Sequence, residues 1–203
     1  MIRKSVTIIL LFFSLGVLGE KLVLKLDIKV DNKGDATITY TQKATAMQWK
    51  NLMKIYGNNP ALLKREIIES LPAYDLSDFS FQKKEMDREF VFTFKAKGVV
   101  KYRGEGIWEF EYDKNATPQK LTENKWFFIN SESDGNTIYE YNISLTLPEK
   151  AKNTQLAQNE FGKSVLRYTL KPEKQISWWT ISGILLIIAG FITIIVTFTL
   201  IKE

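Results

Sequence analysis

Lys21–Tyr40 reads KLVLKLDIKVDNKGDATITY, and its pattern points to a fold class. Apolar residues alternate with charged ones up to Val30, which is typical of a strand with one buried face. Asp31–Asp35 then predicts a hairpin turn, because Gly34 adopts positive φ without steric cost. The alternation resumes at Ala36. Two antiparallel strands are therefore expected to open the folded part of the chain.

A helical pair is predicted directly after this hairpin. Ala46–Tyr56 places its apolar residues on one side of a helix. A second helix is predicted to begin at Asn59 and Pro60, since Asn is a good N-cap and Pro a good first helical residue. Its apolar residues recur at helical spacing as far as Leu71, and Pro72 ends it.

About six further strands are predicted after the helical pair. Their apolar residues alternate or run continuously at Phe79–Phe81, Phe90–Tyr102, Trp108–Tyr112, Trp126–Ile129, Ile138–Leu147 and Val165–Leu170. The expected fold class is α+β: a twisted antiparallel sheet of about eight strands with the helical pair on one face. A C-terminal transmembrane helix is expected in addition.

The two ends of the chain predict export and membrane attachment. Residues 1–19 have the layout of a signal peptide, with Arg3 and Lys4 ahead of an apolar run. Thr180–Ile201 carries no charged side chain, and a helix of that length extends roughly 33 Å, enough to cross a bilayer. We therefore predict a single-pass cell-membrane protein with an exported domain at 20–171, a connector at 172–177, a transmembrane helix at 178–201 and a cytoplasmic tail at 202–203.

Residues in and beside this span suggest how it would sit and associate. Trp178 and Trp179 are expected at the outer membrane interface, which favours amphipathic rings. Gly183, Gly190 and Thr197 recur every seven residues, so they share one face of a helix. Small residues on one face allow two helices to approach closely, and a packed association competes with a simple anchor as an interpretation.

Composition limits the functions that are expected. The chain has no His and no Cys, so thiol chemistry, disulfides and His-ligated zinc are not expected. An exported domain without disulfides points to a prokaryotic envelope. The 28 Lys and Arg and the 23 Asp and Glu of the whole chain are interspersed, which does not predict a nucleic-acid surface. We expect a non-catalytic domain without a cofactor or metal.

Aromatic residues are concentrated in the predicted strands. Phe90, Phe92 and Phe94 alternate in one strand, and Trp108 and Phe110 alternate in the next. Most such rings form a core, and a core is the simpler interpretation. The alternative is that some of them line an apolar groove or cavity for a lipid or another hydrophobic ligand.

An acidic set follows the same strands. Glu105, Glu109, Glu111 and Asp113 could supply paired carboxylates for hydrolysis of a glycosidic bond. Because Glu109 and Glu111 alternate with aromatic residues, a solvated strand face is the simpler explanation. Gly104–Gly106 predicts a turn, since a strand rather than a helix follows it.

The layout of the chain resembles that of the LppM-type exported lipid-binding domains of bacterial envelopes. The resemblance is carried by a strand, Gly turn and strand at Leu26–Thr41, a helix at Met47–Leu52, and Ser144–Pro148 followed by Val165–Leu170. It implies an envelope domain that binds lipid. The residues themselves favour a membrane-anchored domain that binds a partner protein, with a hydrophobic-ligand domain and a carboxylate-dependent hydrolase as alternatives.

Overall fold

The computed structural model describes residues 21–134 and 137–170. Within these ranges the chain forms eleven strands and two α-helices. The strands are β1 (Lys21–Val30), β2 (Ala36–Lys43), β3 (Leu76–Lys84), β4 (Glu89–Ala96), β5 (Val100–Gly104), β6 (Ile107–Glu111), β7 (Thr117–Lys120), β8 (Lys125–Asp134), β9 (Thr137–Thr146), β10 (Lys152–Gln158) and β11 (Ser164–Thr169). The helices are α1 (Ala46–Leu52) and α2 (Pro60–Ser70), with a π-helical turn at Met53–Gly57 between them.

The described strands form two sheets. The larger sheet has seven strands in the order β3-β4-β2-β1-β9-β8-β7, and the smaller has four in the order β10-β11-β6-β5. Neighbouring strands are antiparallel except β1 and β9, which run parallel at the centre of the larger sheet. An α+β fold is confirmed, but the prediction of one antiparallel sheet of about eight strands is wrong.

The second sheet arises because the predicted strand Phe90–Tyr102 is divided. Strand β4 ends at Ala96, a turn through Gly98 at φ +68° follows, and β5 then pairs with β6 in the other sheet. Strands β7 and β10 were missed because both are sheet edges whose side chains are largely exposed. An edge strand that buries few residues carries little hydrophobic periodicity.

The local signals at the start of the domain are confirmed. Asp31 closes the β1–β2 turn, where its carboxylate accepts hydrogen bonds from the backbone N–H of Lys33 at 2.8 Å and Asp35 at 3.1 Å. Asn59 caps α2 by accepting a hydrogen bond from the Leu62 N–H at 3.3 Å. These are short-range interactions, and residue type alone therefore predicts them well.

The helical pair covers one part of the larger sheet. A helix-side cluster of buried residues joins the helices to β4: Leu52, Tyr56, Leu63, Ile67, Leu71, Phe90, Phe92, Phe94 and Ala96. The smaller sheet contributes to a separate sheet-side cluster with β1, β8 and β9: Ile28, Val30, Ala36, Val100, Phe110, Ala116, Trp126, Phe128, Leu145, Leu147, Ala151, Leu166, Tyr168 and Leu170. The inner face of the larger sheet is therefore packed against two different elements, the helical pair and the smaller sheet. We call these two elements the covers.

Gly34 holds the β1–β2 turn against the smaller sheet, and Gly34→Ala is expected to destabilise the fold by about 2–4 kcal/mol. Its φ is +84°, and an added Cβ would lie 2.6 Å from the Val100 carbonyl oxygen and 2.7 Å from Trp108 Cζ3. The matched control is Gly98→Ala, where φ is +68° but no atom lies within 4 Å of the added carbon. Chemical denaturation should show a loss of only about 1 kcal/mol for this control. Equal losses for the two variants would contradict the close-contact explanation.

Several predicted segments lie outside the described residues. These are the signal peptide (1–19), the connector (172–177), the transmembrane helix (178–201) and the tail (202–203), together with Trp178, Trp179, Gly183, Gly190 and Thr197. Neither of the helices within residues 21–134 and 137–170 has the length and hydrophobicity required to cross a bilayer.

Candidate functional site

The inner face of the larger sheet carries a continuous row of apolar side chains. Directly paired residues point to the same side of a sheet, so the strand register defines this row. Across β3, β4, β2, β1, β9 and β8 it runs Phe81, Phe92, Tyr40, Leu26, Ile143 and Phe128. We call these six residues the central row.

The four residues in the middle of the sheet are incompletely buried. Leu26, Ile38, Tyr40 and Ile143 belong to β1, β2 and β9, where side chains on the covered face would normally be excluded from solvent. Phe92 and Phe128, at either side, are 3% and 1% exposed. The two covers therefore meet the sheet on either side of its centre and leave the centre open.

A cavity of about 160 Å³ lies over this part of the sheet. The central row supplies part of its floor. One wall is formed by Leu63 and Ile67 of α2 and by Leu71, which caps that helix, and Phe110 of β6 lies in the opposite wall. The rings of Phe110 and Tyr112 lie 6.2 and 5.0 Å from that of Phe128 and pack the sheet-side cluster against the floor. The cavity therefore occupies the gap between the two covers.

Polar groups are a minority among the residues that line the cavity. Ser70 and Tyr74 lie at the C-terminal end of α2 and just beyond it, while Glu111 and Asp113 lie at and after the end of β6. All four side chains are partly exposed, in contrast to the buried phenylalanines of the floor. The polar rim of the cavity is therefore formed where α2 and β6 end. Asn130 is a different case, because it lies on the floor and is 5% exposed.

The hydroxyl group of Tyr40 is a further polar group on the floor of the cavity. Tyr40 donates a hydrogen bond to the side-chain oxygen of the buried Gln42 at 2.9 Å. Burial raises the pKa of Tyr40, and the neighbouring Tyr141 adds to the shift. Tyr40 therefore stays protonated at physiological pH and presents a neutral group to the cavity.

Four of the five aromatic residues named from the sequence lie around this cavity. Phe90, Phe92 and Phe94 of β4 and Phe110 of β6 line it, and all four are buried. Trp108 is not among the lining residues; its ring lies 5.0 Å from that of Tyr102, and it packs against the sheet-side cluster.

Sequence reasoning did not name the central part of the floor or the wall from α2 as site residues. Leu26, Ile38 and Ile143 looked like ordinary core positions, because an alternating pattern shows which face is covered but not how well. Asn130 interrupts an otherwise apolar face of β8 that includes Trp126 and Phe128. That interruption was the one available signal.

The acidic set is divided between two places: Glu109 of β6 does not line the cavity, whereas Glu111 at the end of β6 and Asp113 beyond it lie on the cavity rim. Glu109 is 3% exposed and accepts hydrogen bonds from Arg103 at 2.8 Å and from Arg167 at 2.6 and 3.1 Å. Glu111 is paired with Lys101 and Lys163, both at 2.8 Å. The carboxylates alternate with aromatic residues along β6 as predicted, but the expected solvated face is wrong for Glu109, which is buried between two arginines.

These ion pairs set the protonation of both carboxylates. Burial opposes ionisation of Glu109 and Glu111, but hydrogen bonds from the paired cations outweigh it and lower the pKa of both. A general acid in glycoside hydrolysis needs the opposite shift. Within residues 21–134 and 137–170 no group of three or more metal-binding side chains is found.

Arg167→Met is expected to destabilise the fold by about 2 kcal/mol at neutral pH, because it leaves a buried carboxylate with one cation instead of two. A lowered pKa of Glu109 contributes stability that is present above the ordinary glutamate pKa of 4.5 and is lost as the pH falls below it through the lowered pKa of the folded state. The difference in the free energy of unfolding between the unchanged protein and Arg167→Met should therefore become smaller as the pH is lowered. Denaturant titrations at several pH values would measure it.

Arg65→Met is the matched control, since Arg65 and Glu69 are 3.8 Å apart and both about two-thirds exposed. It should change stability by less than about 0.5 kcal/mol. A pH-independent loss in Arg167→Met would contradict the electrostatic explanation.

No family model matches this chain, and no match is found among curated proteins or solved structures.

Proposed function

We propose that the domain binds the hydrocarbon chain of a lipid or a similar apolar ligand in the cavity between the larger sheet and its two covers. The observation that carries this proposal is an apolar cavity at the centre of the sheet, where Leu26, Ile38 and Ile143 pack against the neighbouring clusters but remain only partly buried and line the open space. A bound ligand would bury the parts of these three side chains that remain exposed to the cavity.

The size and lining of the cavity support a hydrocarbon ligand. An apolar cavity of about 150 Å³ is large enough to bind benzene. The cavity of about 160 Å³ here can therefore hold a segment of hydrocarbon chain of similar volume. Ligand sites in proteins are mostly apolar with a few polar groups at defined points. The buried phenylalanines and the polar rim at the ends of α2 and β6 match this arrangement.

The expected location of the protein agrees with this proposal. A membrane anchor at 178–201 and an export signal at 1–19 would hold the domain beside a lipid bilayer, which is a source of such ligands. The resemblance in layout to LppM-type lipid-binding domains points in the same direction. We accordingly propose a binding role without catalysis, in a prokaryotic envelope.

Binding of a partner protein was the leading expectation from the sequence. A continuous exposed apolar patch would indicate a surface that binds another protein. The most exposed large apolar side chains of the described residues are Met86 at 98%, Phe161 at 72%, Met47 at 62% and Leu121 at 61%. None of the four belongs to, or packs against, one of the hydrophobic clusters of the described residues, so we give the cavity precedence.

Photolabelling of the full chain tests the proposal. Dodecane carrying a diazirine would be added to the protein in lipid discs, irradiated, and its attachment sites mapped by peptide mass spectrometry. We expect saturable labelling of α2, β1, β2 and β9 that unlabelled dodecane prevents. Labelling that is confined to exposed residues such as Phe161 and does not saturate would contradict the proposal.

A further inference from the structure

Asn130 is a buried amide on the floor of the cavity. It lies on the same face of β8 as Phe128, and its direct partner across β9 is the buried Tyr141. At 5% exposure the side chain is shielded from bulk solvent, yet it lines the cavity. Its amide is therefore available to a molecule inside the cavity.

The Asn130 side chain makes no hydrogen bond within residues 21–134 and 137–170. Other polar groups near the floor and rim do have partners. Gln42 accepts a hydrogen bond from Tyr40, Ser70 donates one to the Ile67 carbonyl at 2.9 Å, and Asp113 accepts one from the Asn115 N–H at 2.8 Å. Asn130 is not among the fully buried polar atoms that lack a partner, so its amide is accessible from the cavity, where a polar atom of a ligand can form the hydrogen bond that the protein does not supply.

The charges near Asn130 disfavour an anion as that group. Glu132 lies two residues further along the same face of β8, and Asp113 lines the cavity. Burial raises the pKa of Glu132, and the negative charge of Asp113 adds to this shift. Among the described residues that line the cavity, the cation is Lys101, and it is paired with Glu111. A free carboxylate or phosphate beside Asn130 would meet net negative charge.

We propose that the ligand is a neutral single-chain lipid of the monoacylglycerol class, whose ester carbonyl or hydroxyl group forms a hydrogen bond with the Asn130 amide while its chain fills the apolar cavity. This inference rests on the proposed function and adds the chemistry of the head group. A neutral oxygen can pair with the amide without adding charge next to Glu132 and Asp113.

Competition among three lipids with the same chain length tests this inference on the full chain in lipid discs. Monolaurin, laurate and dodecane would each compete, at equal mole fractions, with the diazirine-labelled dodecane. We expect monolaurin to compete about tenfold better than either of the others, the effect of one well-placed hydrogen bond. Equal competition by monolaurin and dodecane would overturn the inference and leave the proposed function intact. Absence of competition by all three would overturn both.

Variants of Asn130 test the assignment of the residue. In Asn130→Leu the preference for monolaurin over dodecane should disappear while dodecane still competes, and Asn130→Ala provides a second, smaller replacement. Asn142→Leu is the matched control, since Asn142 lies on the other face of the sheet and donates a weak hydrogen bond to Glu140 at 3.4 Å. It should keep the tenfold preference. An unchanged preference in both Asn130 variants would overturn the assignment.

Discussion

Ile143→Trp is expected to abolish labelling of the cavity by diazirine-labelled dodecane while the domain stays folded. Ile143 lies in the central row on β9, is half-buried and borders the cavity. A larger ring at this position would occupy the space that we assign to the ligand. Because the space is open, the cost of the larger side chain should stay within about 1–2 kcal/mol.

A control on the same strand separates filling of the cavity from a general effect of tryptophan. Ile138 lies on β9 at odd spacing from Ile143, so it faces the other side of the sheet, and it is 50% exposed. Ile138→Trp should leave labelling unchanged. Thermal unfolding followed by circular dichroism would confirm that both variants are folded. Undiminished labelling of the cavity peptides in Ile143→Trp would exclude this site for the ligand.

Phe128→Ala is expected to cost about 3–5 kcal/mol, the largest stability loss that we predict. Phe128 is 1% exposed, belongs to the central row, and packs against the rings of Phe110 and Tyr112. Its removal would leave a new void beside the existing cavity. The surrounding strands are held by sheet hydrogen bonds and can close that void only in part.

Urea unfolding of Phe128→Ala and of a surface control would measure this effect. Phe161 is 72% exposed, and Phe161→Ala should change stability by less than about 0.5 kcal/mol. A similarly small loss in Phe128→Ala would show that the two covers are not anchored on this ring. It would also remove the reason for treating the central row as a rigid floor.

The local parts of the fold could be predicted from the sequence because short-range chemistry determines them. The Asp31–Asp35 turn and the Asn59 cap depend on residues within a few positions of one another. The parallel pairing of β1 with β9 joins residues more than a hundred positions apart, for example Leu26 with Ile143. No local pattern encodes such a pairing, and the central row could not be assembled without it.

The candidate site could be predicted only in part for a related reason. The alternation of Phe90, Phe92 and Phe94 correctly indicated a covered face, and these residues do line the cavity. The cavity itself depends on where the covers end, which is decided by the division of the chain into β4 and β5 at Gly98. Because of the turn at that position, β5 pairs with β6 in the smaller sheet instead of continuing β4. The sequence does not indicate where the smaller sheet then packs against the larger one.

Methyl NMR of the full chain with isoleucine labelling and added dodecane would test the cavity most directly. Ile28, Ile38, Ile67 and Ile143 line the cavity, while Ile55, Ile68 and Ile138 are exposed and serve as internal controls. We predict intermolecular nuclear Overhauser effects from dodecane to the first four methyl groups and none to the last three. Contacts to the exposed methyl groups alone would contradict a ligand cavity between the larger sheet and its covers.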